Sequence, residues 1–186
     1  MIAGLVLAGG RSRRFGAEKA LAVVDGLPML RRIAGLLQPA VAALAVSARA
    51  GSGAERLAKA LGFPVLHDDP ADPEGPLAGV RAGLAWAQGR GATRLLLAPC
   101  DTPFLPLTYA ASMIASDPTL AAVATAGEEI EPLCSIWPTS LLNDLTAALK
   151  QGHPPIGEWL IAKGAAKVAF ADAASFRNVN RPTDLD

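Results

Sequence analysis

Aromatic residues make up only 5% of this 186-residue chain, although half of it is hydrophobic. Much of that hydrophobic share is alanine, so the expected core is thin-layered and closely packed. Cysteine occurs twice, at Cys100 and Cys134, in no C-x-x-C pair or ligand cluster. That excludes a disulfide framework and a cysteine zinc site, and reads as two reduced, buried thiols. A charge excess is also missing, since 17 basic residues balance 17 acidic ones. No general field draws the chain to nucleic acid or to an anionic membrane, and any basic site is local. No apolar run approaches the roughly 18 residues of a spanning helix, because Gln38 and Pro39 interrupt the longest candidate. The opening "MIAGLVLAGG" is not a secretory signal by pattern, because its arginines follow the apolar run where a signal's positive charges precede it. Repeats, low-complexity tracts and linkers are absent as well. A single domain over residues 1–186, soluble and cytoplasmic, is the expectation.

What the chain does have is alternation. Short apolar runs at Gly4–Ala8, Val41–Val46, Pro64–Leu66, Arg94–Ala98, Ala121–Thr125 and Lys167–Ala171 read as strands. Between them, Met29–Leu37, Ala54–Leu61, Leu77–Gln88 and Leu107–Ser116 read as helices. Strand and helix in turn predict an α/β fold, a mostly parallel sheet covered by helices on both faces in a Rossmann-like three-layer domain. Leu141, Leu142, Leu145, Ala148 and Leu149 form one apolar stripe of a further helix. Glu131–Trp137 reads as an extra strand that makes the sheet mixed if it runs antiparallel, and His153–Leu160 as a proline-started helix with Trp159 inward. In such sheets ligands bind beyond the carboxyl ends of the strands, where strand order reverses.

Two loops after strands carry the chemistry. "LAGGRSRRFGAEK", Leu7–Lys19, sets two glycines before Arg11, Arg13, Arg14 and Lys19. It lacks the Walker G-x-x-x-x-G-K-[ST] and the dinucleotide G-x-G-x-x-G patterns. What remains is a glycine-permitted backbone approach with cations around it, suited to a triphosphate; a basic surface turn is the alternative. In "LLLAPCDTPFLP", Pro99 ends a buried strand and Asp101 follows at the sheet's edge. A carboxylate facing arginines and a lysine suits magnesium shared with phosphates, while a turn or capping aspartate is the plainer reading. "HDDPADPEGPLAG", His67–Gly79, leads into a helix starting near Pro76, whose N-terminal amides would lie beside a nucleotide. "VSARAGSGAERL", Val46–Leu57, reads as a Gly/Ser connector, with a ligand role as the other reading. His67 and His153 occur singly and read as surface or satisfied side chains. In "FRNVNRP", Asn178 and Asn180 are two apart in an extended segment and project to one side.

"LAGGRSRRFGAEK" is similar to the L-A-G-G-x-S-x-R-[FM]-G-x-x-K signature of glycosyltransferase A-like nucleotidyltransferases. With "GPLAGV", "PCDTPFLP", "EPLCSIWP" and "FRNVNRPTDL" following in order, the chain resembles the molybdenum cofactor guanylyltransferase (MobA) family along its whole length. The resemblance implies a nucleotide-diphospho-sugar transferase type of fold. It also implies transfer of GMP from GTP to the terminal phosphate of molybdenum-molybdopterin, with release of pyrophosphate. Residue by residue it implies nucleotide contacts at Leu7, Ala8, Gly9, Gly10, Lys19, Ser47, Asp68, Gly75 and Asp101. Asp101 is then the Mg2+ ligand and Asn178 and Asn180 face the acceptor, while the charges of Lys19 and of Arg13 or Arg14 suit stabilising the leaving pyrophosphate. Ser47 departs from the asparagine common at its position, and the loop between Gly16 and Lys19 is one residue shorter than in some relatives. A labile product points to hand-over to molybdoenzymes or chaperones. A molybdopterin cytidylyltransferase and a non-catalytic nucleotide-binding module are the alternatives, since backbone contacts to phosphate are blind to the base.

Overall fold

The computed structural model describes residues 1–10 and 18–185. Strand β1 (Ile2–Leu7) is apolar along its length, and all but its first residue are buried, as a central parallel strand requires. A two-residue-per-strand hairpin follows Lys19–Leu21: β2 (Val23–Val24) and β3 (Leu27–Pro28). Asp25 and Gly26 turn it, both at positive φ, a conformation the Asp-Gly pair favours. Helix α1 (Met29–Leu37) buries Met29, Leu30, Ile33, Ala34 and Leu37, the i, i+3, i+4 stripe of a helix on a sheet. Next come β4 (Ala43–Ser47), α2 (Gly53–Ala60) and β5 (Val65–Leu66). Ser52 caps α2 by accepting the Glu55 N–H at 3.1 Å. Helix α3 (Pro76–Gly89) opens on proline, whose fixed φ suits a first turn. The chain continues through β6 (Arg94–Pro99), α4 (Tyr109–Ile114), β7 (Ala122–Ala126) and β8 (Glu129–Pro138). It closes with α5 (Leu142–Lys150), α6 (Ile156–Ala162) and β9 (Ala166–Phe170).

Seven of the described strands form one sheet, in the order β5-β4-β1-β6-β8-β7-β9. β1 pairs in parallel with β4 and β6, and β7 with β9, while β8 runs antiparallel between β6 and β7. The sheet is therefore mixed, as the Glu131–Trp137 run implies. Alternate side chains separate two cores. Val6, Val46, Leu96 and Ala98 pack under α1, α2 and α4. Leu5, Leu7, Leu95 and Leu97 pack under α3, α5 and α6. Each fully buried leucine contributes about 1.5–3 kcal/mol. Trp137 and Trp159 stack at 5.4 Å, fastening α6 to β8.

The strand expected at Val41–Val46 begins two residues later, and the helix expected at Leu107–Ser116 is shorter at both ends. Leu107 and Thr108 form the turn into α4, so Leu107 stays almost wholly exposed. The Val46–Leu57 segment is not wholly a connector, because α2 starts inside it. Both cysteines are free and buried. No helix among the described residues is long and apolar enough to cross a membrane.

Candidate active site

The chain builds outward from β1 through β4 to β5, then returns to the other side of β1 as β6. Strand order therefore reverses between β1 and β6, and a crevice opens at their carboxyl ends. Two backbone bonds fix its floor: Ala8 N–H donates to the Ser47 carbonyl at 2.8 Å, and Cys100 N–H to the Leu7 carbonyl at 2.9 Å. Above it lies a cleft of about 1050 Å³.

Leu7, Ala8, Gly9 and Gly10 line this cleft from the end of β1, and Ser47 lines it from the end of β4. Asp68 and Gly75 line it from the loop after β5, and Asp101 from beyond β6. Lys19 and Asn180 complete the gathering from segments 161 residues apart. Asn178 is exposed and is not among the lining residues, whereas the intervening Val179 is buried and donates its N–H to the Asp101 carbonyl at 2.8 Å. Arg13 and Arg14 lie outside the described residues.

Lys19 is the hub. Its Nζ lies 3.4 Å from the Asp101 carboxylate and donates to the Asn180 side-chain oxygen. Asn180 is itself held, since its N–H and that of Arg181 donate to Asp184 at 2.7 and 2.8 Å. Glu18, next to Lys19, accepts the Ala54 N–H at 2.8 Å and ties the loop's return to the first turn of α2. A carboxylate is the appropriate group at that positive helix end. Neither the Glu18 anchor nor the cleft-lining Arg49 was legible from pattern. The one available signal for Arg49 was a cation two residues past a strand end.

The opposite wall is acidic. Arg81 on α3 pairs with Asp72 at 2.5 Å and Asp69 at 3.1 Å, holding the loop after β5 against the helix. Partial burial, and then the nearby Asp72, raise the pKa of Asp68. His67 faces the Ala48 carbonyl through Nδ1 at 2.9 Å, the satisfied histidine expected. Burial pushes the Cys100 thiol up to about 12, with Asp101 adding to the shift, so it is no thiolate nucleophile at neutral pH.

Asp101 is a single carboxylate, partly open to the cleft. Among the described residues no cluster of three His, Cys, Asp or Glu side chains could hold a metal alone. Those facts fit magnesium, which keeps waters and takes one or two protein carboxylates plus substrate phosphates. They do not fit a zinc site.

Comparison with known proteins gives the family. Residues 4–165 match the MobA-like NTP transferase domain. The chain belongs to that family. It is thus a nucleotidyltransferase, and its relatives span nearly its whole length. It is 41% identical to the molybdenum cofactor guanylyltransferase of Cereibacter sphaeroides, covering 98% of this chain and 92% of that protein. It is 37% identical to that of Rhodobacter capsulatus, covering 99% and 93%. Among solved structures, molybdopterin-guanine dinucleotide biosynthesis protein A from Archaeoglobus fulgidus superposes with a TM-score of 0.77. That match covers 98% of this chain and 94% of the other at 22% identity, so it supports the fold alone.

Proposed function

We propose that this nucleotidyltransferase transfers GMP from GTP to the terminal phosphate of molybdenum-molybdopterin, releasing pyrophosphate. The observation that carries the reading is the meeting of Lys19, Asp101 and Asn180 at the strand-order reversal, beside the Gly9-Gly10 backbone. The name guanylyltransferase of the relatives supplies the donor and acceptor classes.

The chemistry joins two phosphate-bearing molecules, so like charges must be brought together and further charge settles on the α-phosphoryl oxygens. Positioning and neutralisation are most of the catalysis. An oxygen of the acceptor phosphate forms a bond to the α-phosphorus, and the bond to the bridging oxygen breaks, its electron pair leaving with pyrophosphate. Asp101 would hold magnesium, which when bound neutralises phosphate oxygens as a Lewis acid. Lys19, held by Asp101 and Asn180, is preorganised to stabilise charge as it develops on the leaving group. Backbone at Gly9 and Gly10 would receive the phosphates, and the first turn of α3 would lie beside the nucleoside. A phosphate monoester has its second pKa near about 6 and is largely ionised at neutral pH. No general base is required, which fits a cleft whose histidine is bound to backbone.

On this reading GTP and molybdenum-molybdopterin are substrates, and the cytoplasm, where GTP is made and kept, is the setting. The test is pyrophosphate release with molybdenum-loaded molybdopterin and each of the four ribonucleoside triphosphates in turn. Release with GTP alone is expected. Release with CTP in its place reassigns the chain to cytidylyl transfer, and tight binding without release reassigns it to a nucleotide-binding module.

A further inference from the structure

His153 belongs to the segment between α5 and α6, and none of the roles above uses it. Its Nε2 accepts the N–H of Leu77 at 3.3 Å. Leu77 is the second residue of α3, so this N–H is one of the first-turn donors that a helix leaves without an internal partner. Such donors are ordinarily satisfied by a Ser, Thr, Asp or Asn at the preceding cap position. Here the cap position is Gly75, which has no side chain to offer. The acceptor comes instead from a histidine 76 residues further along the chain.

The two positions are matched sterically. Gly75 has φ of +154°, and a Cβ there would lie 2.2 Å from His153 Nε2 and 2.4 Å from its Cδ2. Glycine leaves the room that the imidazole fills. The other side of the same turn is equally tight, since a Cβ at Gly79 would lie 2.7 Å from Ser47 Oγ. The start of α3 is therefore held between the end of β4 and His153. His153 is itself fixed from behind. Pro154 and Pro155 restrict the backbone that follows it, and α6 is fastened to β8 by the Trp159–Trp137 stack and the buried Leu160. Gly75, Pro76 and Gly79 line the cleft, as does Leu133 of β8.

We infer that His153 is a positioning residue for nucleotide binding: it caps α3 from across the fold and sets the depth of the Gly75 turn in the cleft. The inference rests on the nucleotide reading of that cleft. Its imidazole accepts the Leu77 N–H only in the neutral form with the proton on Nδ1, and a side-chain carbonyl oxygen is the nearest chemical substitute.

Two variants and two measurements test this. His153→Ala is expected to raise the KM for GTP about five- to tenfold, the scale of losing one helix cap. It is expected to leave kcat within about twofold, the pattern of lost binding common to ground and transition states. His153→Gln, which keeps an acceptor, is expected to restore most of the affinity. Amide exchange at Leu77 and through 68–79, measured without nucleotide, is expected to rise in His153→Ala and to fall back in His153→Gln. Equal behaviour of the two variants, a kcat loss with KM unchanged, or unaltered exchange at Leu77 would each overturn the inference. The exchange comparison holds whichever nucleotide the parent protein binds. A parent that takes CTP would therefore revise the donor assignment, while the exchange result still decides the role of His153.

Discussion

Asp101→Asn separates catalysis from folding more cleanly than any other change in this site. The substitution keeps the side chain's shape and one of its oxygens, and removes its charge. Among the described residues, the Asp101 carbonyl accepts the Val179 N–H at 2.8 Å, and its carboxylate lies 3.4 Å from Lys19 Nζ. The first is a backbone bond and survives. The second joins side chains 27% and 18% exposed, and asparagine still offers Lys19 an acceptor oxygen there, so a charged hydrogen bond becomes a neutral one at a cost of about 1 kcal/mol. For a chain of this length 1 kcal/mol moves Tm by roughly 2–4 °C, so a shift within that range is expected. If Asp101 holds magnesium, as proposed, its loss should instead cost several kcal/mol in the transition state. At ~1.4 kcal/mol per decade, turnover falls about a hundredfold to ten-thousandfold. The assay is pyrophosphate release with GTP, magnesium and molybdenum-molybdopterin, beside a calorimetric melt of the same preparation. A folded variant with near-parental, magnesium-dependent turnover would remove Asp101 from the chemistry. A collapse in Tm with proportionate loss of activity would make it a structural residue.

Lys19→Ala should slow transfer by about two to three decades, the scale of removing one preorganised charge-stabilising donor, as single-turnover rates would measure. Asn180→Ala loosens Lys19, because its amide oxygen accepts from Lys19, and would also remove a contact to the acceptor if Asn180 faces it as the family resemblance implies. It should therefore lower single-turnover transfer by more than it weakens GTP binding in calorimetry, and equal losses would assign it to structure. Gly10→Val should abolish GTP binding in calorimetry with little change in Tm, since a Cβ there meets no atom of the described residues within 4 Å while the side chain would stand in the way of a phosphate. Normal GTP binding by that variant would mean that the loop does not cradle phosphate.

Where local pattern and global packing agree, the sequence is informative. The leucines of β6 and the stripe of α1 are each buried on the faces their spacing assigns. The β8 run also reads correctly as a strand, but its antiparallel direction between β6 and β7 is a property of pairing and not of composition. The β2–β3 hairpin has two residues per strand, too few for any periodicity. The cleft follows the same division. Leu7–Gly10, Ser47, Asp68, Gly75 and Asp101 all lie at or beyond the carboxyl ends of strands of one parallel group, and a ligand-binding rule for such sheets points to them. The bonds that organise them do not follow from spacing. Glu18 reaches α2, Asn180 reaches Lys19, and His153 reaches Leu77 across stretches of 36, 161 and 76 residues. Asn178 and Asn180 share a spacing, yet only Asn180 lines the cleft. Side-chain direction at a chain's return over a sheet edge is set by what it crosses.

In the proposed reaction the α-phosphoryl group of GTP moves to the acceptor phosphate in one bond exchange at Lys19 and Asp101. Parallel reactions with GTP labelled at the α- or the γ-phosphorus, each with molybdenum-molybdopterin, test it most directly. The α-label is expected in a guanine dinucleotide of the pterin and the γ-label only in pyrophosphate, both abolished together in Asp101→Asn. Label appearing as free GMP or as inorganic phosphate with GDP, and none in the pterin product, would contradict it.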